Sequence, residues 1–268
     1  MLDENQLRLI IFAGVLVIMA VLEAALPKRE RAHARRSRWV TNLVLVVTNS
    51  IVLKLLGPIS AVLVAEYTLD KGWGMLSHLP LDLPVFVQLV LGVVLLDLAI
   101  YGQHVASHKI PMLWRFHKIH HADRDIDVTT GVRFHPIEAV LSMFYKCAII
   151  LLLGPIALAV VVFEIVLNAS AMFNHANLKL PAIVDRCLRW IIVTPDMHRV
   201  HHSTISVETD SNYGFFLSCW DKLFKTYIDQ PEMGHKAMRI GLNEYQSDKP
   251  TQLFWTILAP FKKTSNDN

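Results

Sequence analysis

Four long apolar runs constrain this chain more than any other feature. The hydrocarbon core of a bilayer is about 30 Å thick and a helix rises about 1.5 Å per residue, so roughly 20 apolar residues in succession read as one crossing. The first run, Leu7 to Leu26, follows Asp3 and Glu4 rather than a basic stretch. It is also longer than the apolar part of a secretory signal, so it reads as a retained anchor. The second, about Val40 to Ala65, contains Lys54 and Gly57-Pro58 and is expected to kink. The third runs from about Leu83 to Ile100. The fourth, Ile137 to Phe173, is too long for one crossing, and Gly154-Pro155 divides it into a hairpin of two adequate limbs. The expected architecture is an all-α polytopic membrane bundle of about four to five spans or half-spans, with a histidine-lined helical cap.

Charge beside these runs gives an orientation. Residues 27–38, PKRERAHARRSR, hold six Lys/Arg and one Glu, which marks the cytoplasmic side. The loop from Glu66 to Asp82 has only Lys71 as a basic residue, as expected of the opposite side. The third run then returns inward, and the hairpin brings the chain back to the side it left. Charge and hydropathy alone thus predict one integral membrane protein with all its polar, histidine-rich segments on the cytoplasmic face. Trp255 to Phe261 is apolar enough to lie at the interface.

Those segments hold the unusual residue. Of thirteen histidines, eight fall in two short stretches. His104 and His108 are spaced i, i+4, so on a helix both imidazoles reach one side. His117, His120 and His121 repeat the idea as H-x-x-H-H, and so do His198, His201 and His202, with each motif expected to point one way. A lone histidine is far more often a surface or core residue than a ligand. Eight converging at span ends are different, because without a metal they would leave nitrogens desolvated or positive charges crowded. Two ions with four or five ligands each would use them all. Imidazole suits iron, zinc, copper and nickel. H-E-x-x-H is absent, and a catalytic zinc needs only three protein ligands and a water, so the ligand count points to a binuclear redox centre.

Other classes fit less well. Net charge is +3 with no long basic stripe interleaved with aromatics, which argues against nucleic acid. Cys147, Cys187 and Cys219 are scattered, so neither a disulfide framework nor a thiolate zinc site is expected. A membrane metal transporter would place its ligands near the bilayer midplane rather than past the span ends. A zinc hydrolase would leave most of the histidines unexplained.

The chain resembles the fatty acid hydroxylase/sterol desaturase superfamily of membrane di-iron oxygenases. The blocks that carry the resemblance are DLAIYGQHVASH from Asp97, LWRFHKIHHAD from Leu113, RFHPIE from Arg133, NHANLKLP from Asn174, TPDMHRVHHS from Thr194 and NYGFFLSCWDKLFKTY from Asn212. The resemblance implies O2-dependent hydroxylation or desaturation of a lipid. Two irons would be held by His104, His108, His117, His120, His121, His198, His201 and His202. It also suggests ligands between the motifs, His175 first and His135 second, while His33, His78 and His235 match nothing. A fatty acyl chain, a sterol, an alkylglycerol ether or a carotenoid would all suit such a family.

Behind the ligands, Asp97 and Tyr101 share a helical stripe with His104 and His108, and Asp97 is expected to accept from a ligand imidazole. Asp196, Asn174 and Asn177 are weaker candidates for the same task. Glu138 reads as a helix cap, and Arg133 and Lys118 as partners of carboxylate or lipid phosphate. With no G-x-G-x-x-G and no haem or flavin motif in the sequence, electrons are expected from a separate ferredoxin or cytochrome b5-like donor. The expected division is membrane anchors and basic loop over residues 1–82, catalytic domain over 83–230, and a tail over 231–268.

Overall fold

The computed structural model describes residues 4–57, 60–78 and 83–262. Asp3, Pro58, Asp82 and the tail beyond residue 262, on which parts of the expectations above rest, lie outside them. Among the described residues there is no strand, and five helices are long and apolar enough to cross a membrane. They are α1 (Glu4–Ala25), α2 (Arg35–Leu55), α4 (Val85–Lys109), α6 (Pro136–Leu153) and α7 (Ala157–His175), with the shorter α3 (Ala61–Asp70) between α2 and α4. The chain is an integral membrane protein by this measure. Side chains such as Leu9, Val17, Phe86 and Leu152 stand exposed on the outer faces of these helices, where acyl chains would meet them.

The second apolar run departs from a single kinked helix. It begins at Arg35, stops at Leu55, and restarts as α3. Gly57 at φ +98° takes a left-handed turn that ends α2. Ser60 then caps α3 by accepting the Leu63 N–H at 3.1 Å. Asn49 of α2 donates to the Phe134 carbonyl just before α6 at 3.0 Å. Ala61 and Ala65 of α3 pack with Ile150 and Val160, near the other end of the hairpin. The two helices therefore follow one another along α6. That hairpin turns at Gly154, whose φ of +65° caps α6 in the left-handed region. Gly74 crosses it so closely that a Cβ there would fall 2.4 Å from the Gly154 Cα.

Helix α4 runs nine residues past the apolar stretch, to Lys109, because its buried stripe continues through polar side chains. Val93, Leu96, Asp97, Ile100, Tyr101, His104 and Ser107 keep helical spacing along one buried face. Ile110 is extended, and Pro111, fixed in φ and without an N–H, opens α5 (Pro111–His121) at a corner. The cap comprises α5, the loop to Pro136, and the chain after His175 with α8 (Ala182–Leu188) and α9 (Pro195–His201).

A buried ionic clasp fastens the cap to α2. Arg38 Nε and Nη2 each donate to Asp123 at 2.7 Å, and Nη1 donates to Asp127 at 2.5 Å. Burial alone would raise the Asp123 carboxyl, but Arg38 pulls it down to about 2. Arg133 does not meet a carboxylate or face lipid. It donates to the Ile119 and Pro250 carbonyls and to Asn42 Oδ1 at 2.6 to 2.9 Å, binding α5, α2 and the C-terminal region together. Lys118 is buried with its ammonium over the Tyr245 ring. The segment expected at the interface is a short helix, Leu253–Leu258, with a following turn. Phe254, Leu258 and Phe261 are exposed, while Trp255 packs on Tyr245.

Candidate metal centre

The histidines gather where α4 and α7 end and α6 begins, in two adjoining groups. His104, His108, His117, His121 and His201 form one; His120, His175, His198 and His202 form the other. Within each group one nitrogen or more of every ring lies within 4.8 Å of the others. The motifs do not point one way as expected from their spacing. In each H-x-x-H-H the i, i+4 pair goes to one group and the histidine between goes to the other. His117 and His121 belong to the first group and His120 to the second, whereas His198 and His202 belong to the second and His201 to the first. Consecutive rings diverge, by 90° between His120 and His121 and by 83° between His201 and His202. The split makes the two groups share both motifs and fixes them side by side.

Hydrogen bonds on the far nitrogens decide the tautomers. His104 Nδ1 faces the Tyr213 carbonyl at 2.7 Å, His201 Nδ1 the Ser211 carbonyl at 2.6 Å, and His175 Nδ1 the Ala171 carbonyl at 2.7 Å. A carbonyl only accepts, so each Nδ1 carries the hydrogen and each Nε2 offers a lone pair. Yet His104 Nε2 and His201 Nε2 stand 3.0 Å apart. His175 Nε2 lies 3.0 to 3.1 Å from the Nε2 atoms of His120, His198 and His202. One nitrogen cannot be hydrogen-bonded to three others in this way, and facing lone pairs repel. The Nε2 atoms of His108, His117 and His121 are buried with no partner at all. A cation within each group would satisfy every one of these atoms. The donor set fits a metal, and nine imidazoles suit iron, zinc, copper or nickel.

Five of the rings outside the spans, His120, His121, His198, His201 and His202, are held neutral. Burial, reinforced by neighbouring imidazoles, drives His120, His121, His198 and His202 well below the ordinary imidazole value, and burial takes His201 to about 3. Neutral imidazole is the form that ligates.

The residues expected behind the ligands do other work. Asp97 meets no imidazole. It accepts from the Leu217 N–H at 3.1 Å and the Trp220 indole at 2.8 Å, fastening to α4 the loop whose Tyr213 carbonyl orients His104. Tyr101 hydroxyl pairs with Thr226 at 2.9 Å. Asn174 donates to the Phe215 carbonyl at 3.0 Å, and Asn177 exchanges hydrogen bonds with Arg29. Asp196 binds Lys28 and Arg199. His135 lies apart from both groups: its Nδ1 accepts the Ile137 N–H as the cap of α6, and its Nε2 faces the Ile257 carbonyl. Its pKa is lowered by burial. His33 and His235 pair with surrounding charges, and His78 sits in a turn far along the chain from either group.

The residue that sequence reasoning missed is Glu138. Rather than capping the helix, its carboxylate accepts from His117 Nδ1 at 2.6 Å. The signal was in RFHPIE: with His135 as cap and Pro136 opening α6, Glu138 falls in the first turn, facing back toward α5. The carbonyls of Ala171, Ser211 and Tyr213 could not have been read from side-chain identities.

A cavity of about 280 Å³ adjoins the first group. His104 and His117 form part of its wall, with Ile100, Leu53, Val132, Phe134 and Phe215 among the apolar lining.

Residues 89–226 match the profile of the fatty acid hydroxylase family. The chain belongs to that family. The ornithine lipid hydroxylase of Rhizobium tropici is 31% identical over 156 residues, which cover 58% of this chain and 46% of that protein. Human alkylglycerol monooxygenase is 28% identical over 180 residues, 65% of this chain and 38% of the relative. Rat cholesterol 25-hydroxylase is 26% identical over 156 residues, 55% and 50% respectively. The chain thus spans half or less of the length of these relatives. No solved structure matches it. In this fatty acid hydroxylase family member, the matched region contains all nine histidines of the two groups.

Proposed function

We propose that this protein is a membrane-bound di-iron oxygenase that hydroxylates a lipid, with nine histidines as the ligands. The observation that carries the reading is the set of inward-facing, buried Nε2 atoms with no hydrogen-bonding solution. Bound iron supplies the oxygen activation needed at an unactivated C–H bond. The chain's own residues supply the rest. Glu138 and the carbonyls of Tyr213, Ser211 and Ala171 hold the Nδ1 hydrogens of His117, His104, His201 and His175 and thereby aim those four Nε2 atoms inward. Ile100, Phe134 and Phe215 give the cavity an apolar wall that keeps a hydrocarbon segment dry against His104 and His117.

Hydroxylation is favoured over desaturation because the relatives bear the names hydroxylase and monooxygenase. Electrons come from an external donor of ferredoxin or cytochrome b5 type. The histidine end faces the cytoplasm, since the basic segment is fastened there: the Ala32 and His33 N–H groups donate to Asp125, and Arg38 clasps Asp123. The test is lipid mass spectrometry of cells with and without the protein under oxygen-18. The reading expects one lipid class to gain a labelled hydroxyl. Bound metal without any oxygen-dependent product would leave only a metal-binding or transport role.

A further inference from the structure

Part of the cap lies alongside α4 rather than beyond its end. The Leu217 N–H and the Trp220 indole both donate to Asp97, and Phe224 stacks on Tyr101 with ring centroids 5.3 Å apart. The Ser218 N–H donates to the Ile191 carbonyl at 3.1 Å, and Ile192 pairs with Leu217, which brings residues 190–192 to the same place. Asp97 and Tyr101 precede His104 by about 10 Å and about 5 Å along the helix axis. Counted from Val85, a crossing of about 30 Å ends close to His104. Residues 190–192 and 217–224 therefore stand at the level of the hydrocarbon edge, and they belong to none of the five crossing helices.

The outer side of this segment is apolar. Trp190 is 75% exposed, Ile191 66%, Leu223 64% and Phe224 52%. Such a patch is a poor neighbour for water and a good one for another apolar phase. Lys222 joins its two halves: the ammonium stands 4.9 Å over the Trp190 ring and donates to the Arg189 carbonyl at 2.7 Å. Trp beside a Lys whose stem crosses apolar surface is the pairing favoured at a membrane interface. Arg186 and Lys222 border the same cleft as Trp190, and Arg186, Lys222 and Lys225 are all exposed. Among the described residues none of the three meets a carboxylate. The acids nearby in the chain are committed elsewhere. Asp185 and Asp229 both bind Arg189, and the buried Asp221 accepts from the Tyr213 and Gly214 N–H groups.

We propose that residues 190–192 and 217–224 form an interfacial wedge in the leaflet at the histidine end. Trp190, Ile191, Leu223 and Phe224 enter its acyl layer, and Arg186, Lys222 and Lys225 meet its headgroup phosphates. The occupant is the bilayer rather than a second copy. The patch stands at hydrocarbon depth, and a two-fold contact would set the three cations against themselves. The same loop carries the Tyr213 carbonyl that orients His104, so lipid packed on its outer side backs the centre.

Spin-label accessibility of the full-length protein in nanodiscs of phosphatidylcholine and phosphatidylglycerol tests this. Cys187 and Cys219, both exposed, are first replaced by Ser, while Cys147 is buried. Single nitroxides are then introduced through Ile191→Cys, Leu223→Cys or Lys225→Cys. Phe86→Cys on α4 serves as the lipid reference and Glu244→Cys as the water reference, both positions being exposed. Collisions with O2, which concentrates in lipid, are compared with collisions with a water-soluble nickel chelate. The O2-to-nickel ratio at the two wedge positions should approach that of Phe86→Cys and exceed that of Glu244→Cys by about tenfold, with Lys225→Cys between. Ratios at Ile191→Cys and Leu223→Cys equal to that of Glu244→Cys would overturn the proposal. Spin–spin broadening between copies would overturn it too, by giving the patch to a second protomer. As a check without labels, brominated lipid should quench more tryptophan fluorescence in the wild type than in Trp190→Phe, and equal quenching would count against the wedge. Neither measurement needs metal or turnover, so failure here is distinct from failure of the oxygenase reading.

Discussion

Replacing Glu138 by Gln isolates one charge at the candidate centre. The Glu138 carboxylate accepts from His117 Nδ1 at 2.6 Å, a length typical of a charge-assisted bond, and both side chains are largely buried. A glutamine carbonyl can still accept that hydrogen, so the tautomer survives and only the charge is lost. Removing such a partner behind a metal-bound histidine typically costs about 10- to 100-fold in affinity. That corresponds to about 1.4 to 2.8 kcal/mol. Glu138→Leu removes the acceptor as well and should lie at or beyond the upper end. The assay is chelator competition on iron-loaded protein, followed as iron released. His117 belongs to the five-histidine group, so one iron should leave at lower chelator concentration while the iron in the four-histidine group holds. If both variants released iron with the wild-type profile, or released both irons together, the orienting role given to Glu138 would be refuted.

Other perturbations probe different links. In Gly131→Ala, the new Cβ would fall 2.3 Å from the Ala171 oxygen and 3.2 Å from His175 Nδ1. The clash should cost about 1–3 kcal/mol, measured by thermal unfolding, and cut iron at the four-histidine group in a metal assay. Arg38→Met strands Asp123 and Asp127 without their buried partner, and unfolding experiments should register a loss of about 3–5 kcal/mol. For metal-stripped protein, pH dependence follows from the depressed imidazoles. The unfolded chain takes up protons near 6.5, whereas His201 folded does so only near 3. Stability is therefore full above about 6.5 and falls as pH drops toward the folded values. A melting temperature that stayed flat between pH 7 and 5 would contradict this.

Much of the architecture was readable because membrane crossing imposes length and apolarity directly on sequence. The Gly154-Pro155 hairpin emerged as drawn, and it brings His175 back to the end where His104 and His121 lie. The Lys109 end of α4 was less legible. Its last turns are polar and helical because they face the centre rather than lipid, so hydropathy stops short of them. Of the ten histidines singled out, the structure gathers nine. His135 lies between the ligand motifs in sequence, but it serves as a backbone cap, and only the fold distinguishes the two uses. The division of H-x-x-H-H between two groups was hidden for a related reason. Spacing tells which rings share a helix face, but not that two groups flank that face. The Tyr213 carbonyl that orients His104 and the Asp97 link to Trp220 depend on long-range closure of the loop after Asn212, which leaves no local mark.

The central claim is that two metal ions occupy the two histidine groups. Elemental analysis of purified, iron-repleted protein, combined with X-ray absorption at the iron edge, tests it most directly. The account predicts two irons per chain in nitrogen-rich coordination, one for each group. Zinc in place of iron, a single iron, or coordination dominated by oxygen would contradict it.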